Sequence, residues 1–151
     1  MLREAFSERL KQAMRAKDTR TLSAVRLILA TVKDRDVAAR GSGNQEGIAD
    51  PEILRVLQGM IKQRRESIAL YQQGKRPELA RQEEEEIAVI ESFLPRQMSD
   101  EETAAAARAA IAETGAAGVK DMGRVMAQLR ERHAGVIDLA RAGAVVKQLL
   151  G

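Results

Sequence analysis

Few side chains in this sequence can do acid–base or nucleophilic chemistry. It contains one histidine, His133, and no cysteine, so a thiolate nucleophile, a disulfide and a cysteine-ligated zinc site are excluded. His133 stands near the predicted C-terminal end of a helix, where a cation is mildly favoured. No motif links it to a serine nucleophile. We therefore expect a capping or surface role for this histidine and predict no catalytic residue.

The sequence motifs of metal, cofactor and nucleotide sites are weak or missing. The run Glu83–Glu86 suggests a carboxylate metal site, but consecutive helical residues point to different faces, so a solvated surface is the preferred interpretation. Gly41-Ser42-Gly43 lacks the third glycine of a dinucleotide turn and the Gly-Lys-Ser/Thr of a phosphate loop. The Gly/Ser-rich core of amidases that use paired serines and a lysine is also missing. We expect a non-catalytic module with no metal, no cofactor and no evident small-molecule substrate.

Basic side chains remain as candidates for binding phosphate groups. Lys62, Arg64 and Arg65 cluster on a predicted central helix, whereas Lys120 and Arg124 are four residues apart and share a face of a later helix. We predict these five as contacts to the backbone of folded RNA, the alternative being ordinary solvated side chains. With three aromatic residues in the chain, stacking on single-stranded bases is not expected. Further basic residues occur at a predicted turn and on the later helix: Lys75, Arg76, Arg130 and Arg132.

Charge is distributed unevenly along the chain. Residues 1–76 carry a net charge of +7, residues 77–102 a net charge of −7 and residues 103–151 a net charge of +3. Basic segments at both ends favour a phosphate-rich partner. In the alternative interpretation, the acidic middle segment folds back on a basic one and the charges largely cancel. The sequence leaves both interpretations open.

Apolar spacing typical of helices runs along the whole chain, and the alternation typical of strands is absent. A second helix ends at the polar run Gly41–Asn44, a third begins at the Asp50-Pro51 cap and ends at Gly74, and Pro95 stops a fourth. The third and fourth helices are expected to form an antiparallel hairpin. The first helix places four apolar residues on one face: Leu2, Phe6, Leu10 and Met14.

A sharp boundary follows the fourth helix. Ser99 and Glu102 have the spacing of a capping box, which leads us to divide the chain into lobes at 1–95 and 96–151. The second lobe is predicted to hold helices over 100–113 and about 119–133 and a third capped by Asp138. The predicted fold is all-α: an N-terminal helical lobe with a long hairpin, followed by a C-terminal three-helix bundle. Gly123 lies inside a helix at a cost of roughly 1 kcal/mol, which suggests close approach of a neighbouring helix or of RNA, with the helix preferred.

Six segments form a pattern over almost the whole chain: Leu10–Asp18, Leu22–Ile28, Ile61–Ile68, Phe93–Pro95, Glu113–Gly115 and Lys120–Met126. Together and in this order they resemble the GatB/YqeY family. The most specific of them contains the structural motif Met122, Gly123 and Met126. Three departures occur: Phe93 replaces a common tyrosine, Ala117-Gly118 stands where serines often cap a helix, and Leu139-Ala140 replaces a usual Gly-Lys pair, which removes a cation.

The resemblance implies a role as well as a fold. The C-terminal lobe is similar to the tail of the B subunit of glutamyl/aspartyl-tRNA amidotransferase, which helps bind tRNA, while the kinase and amidase chemistry lies in other domains. The family label, carbon–nitrogen ligase activity with glutamine as amido-N-donor, therefore comes without that machinery. We expect an accessory protein that binds tRNA or another structured RNA. The alternatives are a helical protein–protein adaptor without RNA binding and, as the weakest, a stand-alone amidotransferase.

The start of the chain has no apolar signal core, and its longest apolar run, within Leu27–Val32, is far too short to span a bilayer. The absence of cysteine fits a reducing compartment. We therefore expect a cytoplasmic protein without a membrane partner.

Overall fold

A computed structural model describes residues 1–151, and its regular elements are all helical, which confirms the predicted all-α class. Its backbone contacts divide the chain into two compact units, Met1–Leu94 and Pro95–Gly151. The boundary expected from the sequence falls one residue later. None of the helices combines the length and the apolar character that a membrane span needs.

The first unit contains four helices, namely α1 (Leu2–Ala16), α2 (Thr19–Gly41), α3 (Asp50–Gln73) and α4 (Pro77–Glu91). Lys17 ends α1 in the left-handed conformation (φ 54°), and the Asp18 carboxylate caps α2 by accepting the Thr21 N–H at 3.1 Å. At the turn between α3 and α4 the left-handed residue is Lys75 (φ 55°) and not Gly74. α3 and α4 form the hairpin expected from the sequence.

The apolar faces of these helices build the core of the first unit. Phe6 is fully buried, and its ring meets that of Phe93 edge to face with centroids 4.8 Å apart. Met14, however, is 55% exposed, and Ala13 takes the buried position. Each step of four residues turns a helix face by about 40°, so three such steps from Leu2 carry Met14 out of the core. Met14 therefore does not share the buried face of Phe6, although the four-residue spacing predicted one face for both.

A buried carboxylate ties α1, α2 and the loop before α3 together. Asp36 on α2 is 6% exposed and accepts hydrogen bonds from the two terminal nitrogens of Arg3 at 2.7 and 2.9 Å. It also accepts the Ile48 N–H at 2.9 Å, while Arg3 donates to the Ile48 carbonyl at 2.7 Å. The Arg3 hydrogen bonds, outweighing burial and helped by Ile48, lower the pKa of Asp36 to about 2. Gly47 (φ +86°) lies against this carboxylate, because a Cβ there would come within 2.5 Å of its Oδ1.

The second unit contains α5 (Asp100–Thr114), a 3-10 turn (Val119–Asp121), α6 (Met122–Arg132) and α7 (Leu139–Leu150). The predicted capping box is confirmed: the Glu102 N–H donates to Ser99 Oγ at 3.1 Å, and the Ser99 N–H donates to Glu102 Oε1 at 3.2 Å. Arg96 adds a bidentate pair that, first among the causes, lowers the pKa of Glu102 to about 2. The helix predicted over 119–133 begins with the 3-10 turn Val119–Asp121 and ends at Arg132.

Substituting Gly47 with alanine should destabilise the first unit because the new methyl group would collide with the Asp36 carboxylate. We expect Gly47→Ala to lower the free energy of unfolding by about 1–3 kcal/mol beyond the strain of a left-handed alanine. Gly43→Ala is the matched control, since Gly43 also has positive φ (+99°) but open space around its Cβ position. Urea unfolding followed by circular dichroism measures both, and equal losses would contradict this account.

The lowered pKa of Asp36 predicts an acid-sensitive part of the stability. Because the folded pKa of about 2 lies below the usual 3.8, this contribution is present above about pH 4 and is lost as pH falls towards 2. The stability difference between the wild type and Asp36→Asn should therefore shrink over that range. Asp34→Asn, two residues away and exposed, is the control. A difference that stays constant with pH, measured by urea unfolding, would refute the assignment.

Candidate nucleic-acid interface

The structure removes Arg64 from the predicted cluster of phosphate contacts. Arg64 is 8% exposed and lies in the α3–α4 hairpin, where its terminal nitrogen is 3.0 Å from a Glu86 oxygen. Its Nε has no hydrogen-bond partner and is 3.7 Å from a Glu83 oxygen, so Glu83 stabilises it by charge alone. Burial among acidic groups makes Arg64 a structural residue, which corrects its predicted role as an RNA contact.

Lys62 and Arg65, the other two members of that cluster, are exposed on α3. Arg65 lies 3.5 Å from a Glu91 oxygen, whereas Lys62 reaches solvent without an ion pair. Residues three apart on a helix are neighbours on its surface, and residue 64 points elsewhere. The structure therefore brings two of the three predicted residues together, with one of them already paired.

The acidic segment folds against arginines of its own unit. Arg20 on α2 donates to Glu85 at 3.0 Å and lies 3.8 Å from Glu86, which also faces Arg64. These pairs favour the second of the two interpretations left open by the sequence, in which acidic and basic segments offset each other. No group of three or more His, Cys, Asp or Glu side chains is arranged to hold a metal ion.

Arg124 in the second unit is held in place by its surroundings although it is 61% exposed. Its guanidinium donates to the Asp121 carboxylate at 2.9 Å and to the Thr114 carbonyl at 3.3 Å. Asp121 also accepts the Ala117 N–H at 3.0 Å. That backbone bond first, and Arg124 second, lower the pKa of Asp121. The turn between α5 and α6 thus fixes the position of one predicted phosphate contact.

Three cations surround two small residues on the exposed side of α6 and the turn before it. Lys120 and Arg130 are exposed without ion pairs, and Gly123 and Ala127 are exposed between them. Because positions 123, 127 and 130 are spaced by four and three residues, they form one ridge beside Lys120 and Arg124. We call this surface the α6 face: Lys120, Gly123, Arg124, Ala127 and Arg130.

Gly123 does not mark contact with a neighbouring helix. A Cβ at this position would meet no atom within 4 Å, whereas a Cβ at Gly143 on α7 would meet the terminal methyl groups of Met122 and Met126 at 3.6 and 3.9 Å. The close approach of two helices therefore occurs at Gly143, and the preferred interpretation of Gly123 was wrong. Met122 and Met126 point towards α7. Gly123 lies on another side of α6, where it leaves the helix backbone exposed to solvent.

The C-terminal end of α6 is less suited to an anion. Arg132 pairs with Glu113, and Glu131 is the acidic side chain of α6 itself. His133 is the half-buried C-cap residue, and its backbone N–H donates to the Leu129 carbonyl at 3.0 Å.

Two features of the α6 face were not identified from the sequence: the exposure of Ala127, and the hydrogen bonds that hold Arg124 to Asp121 and Thr114. The four-residue spacing of Gly123 and Ala127 could have indicated that they share a helix face. The hydrogen bond from Arg124 to the Thr114 carbonyl depends on how α5 and α6 pack.

If Arg64 is structural, its removal should affect stability more than removal of its exposed neighbour. We expect Arg64→Ala to lower the free energy of unfolding by about 2–4 kcal/mol, because Glu86 loses a close partner and a buried stem is deleted. Arg65→Ala should change it by less than about 1 kcal/mol. Urea unfolding of both variants decides the matter, and equal small losses would return Arg64 to the set of available cations.

The chain is similar to one protein family and to several curated proteins. The family model described as Yqey-like protein matches residues 3–150. Three yeast proteins named "Altered inheritance of mitochondria protein 41, mitochondrial" are similar to this chain. The Vanderwaltozyma polyspora protein is 33% identical over 85 residues, 56% of this chain and 44% of that protein. The Kluyveromyces lactis protein is 30% identical over 89 residues, 59% and 46%. The Clavispora lusitaniae protein is 36% identical over 85 residues, 56% and 46%.

The matched region spans less than half the length of these curated relatives. The family model, in contrast, extends over both units of the structure, from α1 to the last residues of α7. The chain belongs to the Yqey-like protein family.

Proposed function

We propose that this protein is an RNA-binding accessory protein and that the α6 face contacts the phosphate backbone of a folded RNA, with tRNA as the first candidate. One observation carries the proposal: exposed Gly123 has open space above it and lies among three cations. A phosphate backbone can approach the helix closely there, where no side chain keeps it at a distance.

The cations of the α6 face have complementary properties. Lys120 and Arg130 make no ion pair, so their charges can attract an anion from a distance and release its counterions on contact. Arg124 has a fixed guanidinium, so less side-chain entropy is lost when it binds. Asp121 offsets part of its charge but leaves other N–H groups of the fork available. Phosphate contacts of this kind orient a protein on RNA without reading its sequence.

The choice of tRNA rests on the family. The resemblance to the tail of the tRNA amidotransferase B subunit covers the unit that carries the α6 face, as does the family match. The family label of a carbon–nitrogen ligase remains an expectation for this chain, and glutaminase turnover by pure protein would revive the enzyme alternative. The cytoplasmic location also stays a prediction, because the names of the yeast relatives say mitochondrial.

A titration with unfractionated tRNA at two salt concentrations tests the proposal. Binding should weaken as salt rises, and Lys120→Glu/Arg130→Glu should abolish it or reduce the magnitude of the log–log salt slope by about two, since each lost phosphate contact lowers it by about one. This pair is preferred to a variant at Arg124, whose replacement would also release the turn that it holds.

Arg108→Glu/Lys147→Glu is the matched control for that titration. Both residues are exposed on other helices of the same unit, α5 and α7, and neither has an ion pair, so the net charge changes equally. Equal loss in the two double variants would indicate a nonspecific response to charge. No binding by the wild type even at low salt would exclude the proposal and favour the adaptor alternative.

A further inference from the structure

An open groove runs between α2 and α3 in the first unit. It has a volume of about 600 Å³, within the range of pockets that bind drug-sized ligands. It is lined by Ala38 of α2, by Ser42 directly after α2, and by Val56, Gly59 and Met60 of α3. A Cβ at Gly59 would meet nothing within 4 Å. Small residues on both walls let a third backbone lie close to these two helices.

The groove has a basic lining. Arg35 of α2 and Arg55 of α3 both line it, both are exposed, and neither makes an ion pair. Glu52, near the loop, is the acidic residue of the lining. Two cations without partners on opposite walls, against one anion, favour an occupant that carries negative charge beside its apolar contacts.

One exposed leucine lies beyond the far end of the groove on each of its two helices. Thr31 and Gln63 are the lining residues furthest from the loop that joins the two helices. Leu27 lies one turn beyond Thr31, whose hydroxyl donates to the Leu27 carbonyl at 2.8 Å, and Leu70 lies seven residues beyond Gln63. Helical spacing places each leucine on the face that lines the groove. They are 45% and 67% exposed, so each offers apolar side-chain area to a helix that lies along the groove.

We propose that this groove binds an acidic amphipathic helix of a partner protein. Apolar residues of the partner helix would contact Val56 and Met60 on the groove floor, and Leu27 and Leu70 beyond it. Carboxylates of the same helix would pair with Arg35 and Arg55. Two helices separated by a groove and lacking a strand edge are suited to helix-in-groove recognition. The proposal concerns the first unit and is independent of RNA binding by the α6 face.

RNA is a weaker candidate for this groove. Arg35 and Arg55 could also meet phosphates, but the floor beside them is made of apolar groups, Val56 and Met60, which offer no hydrogen bond to a sugar–phosphate backbone. No aromatic side chain lines the groove, so unstacked bases would lack a stacking platform.

A library of random peptides displayed on phage, selected on the immobilised full-length chain, tests the proposal directly. Enriched peptides should combine Asp or Glu with apolar residues at helical spacing. The strongest peptide is then synthesised with a fluorescent label and titrated against wild type and variants by fluorescence anisotropy. Circular dichroism checks that every variant is folded.

Two variants act on the groove by different means. Arg35→Glu/Arg55→Glu should weaken peptide binding at least about tenfold through charge, and Gly59→Leu should do so by filling the groove while improving helix propensity. Arg15→Glu/Arg81→Glu, which reverses two exposed arginines of α1 and α4, should leave binding unchanged. Enrichment of non-acidic peptides, no enrichment, binding that survives both groove variants, or displacement of the peptide by tRNA would each overturn the proposal.

Discussion

The carboxylate of Asp36 is the constraint on which the first unit depends. It joins the start of α1 through Arg3, the C-terminal half of α2 through its own position, and the loop before α3 through the Ile48 N–H. Such a buried anion is tolerated only because donors surround it. Ile48 also lines the groove between α2 and α3. The hydrogen bonds that hold the loop to α1 and α2 therefore also fix one end of this groove.

Charge compensation within the first unit decides which cations are available to a partner. Glu85 and Glu86 engage Arg20 and Arg64, and Glu91 engages Arg65. The acidic segment therefore stabilises the packing of α4 on α2 and α3 while neutralising the arginines nearest to it. Exposed cations without acidic partners include Arg35 and Arg55 beside the groove between α2 and α3, and Lys120 and Arg130 on the α6 face. Net charge taken over sequence segments could not show this, because pairing depends on the folded arrangement.

Local patterns predicted the helices and several of their ends, since caps such as Asp18 and the Ser99 capping box act within three residues. Features that depend on distant partners were not predictable. Arg3 and Asp36 are 33 residues apart, and the burial of Arg64 requires α4 to be in place. Gly123 was misinterpreted for the same reason: a helical glycine signals an approach to its backbone, but only tertiary structure shows that nothing within this chain makes it.

The three cations around the exposed Gly123 differ in how their side chains are held. Asp121 and the Thr114 carbonyl accept hydrogen bonds from Arg124. The negative charge of Asp121 weakens the attraction of Arg124 for a distant anion, but the two bonds fix the direction of its N–H donors. Lys120 and Arg130 are exposed and unpaired, so they contribute attraction at a distance and lose more side-chain entropy on contact. In the RNA complex that we propose, the two unpaired charges attract the polyanion and the oriented guanidinium of Arg124 then positions it. Gly123 is the place where the backbone of that RNA would lie against the helix.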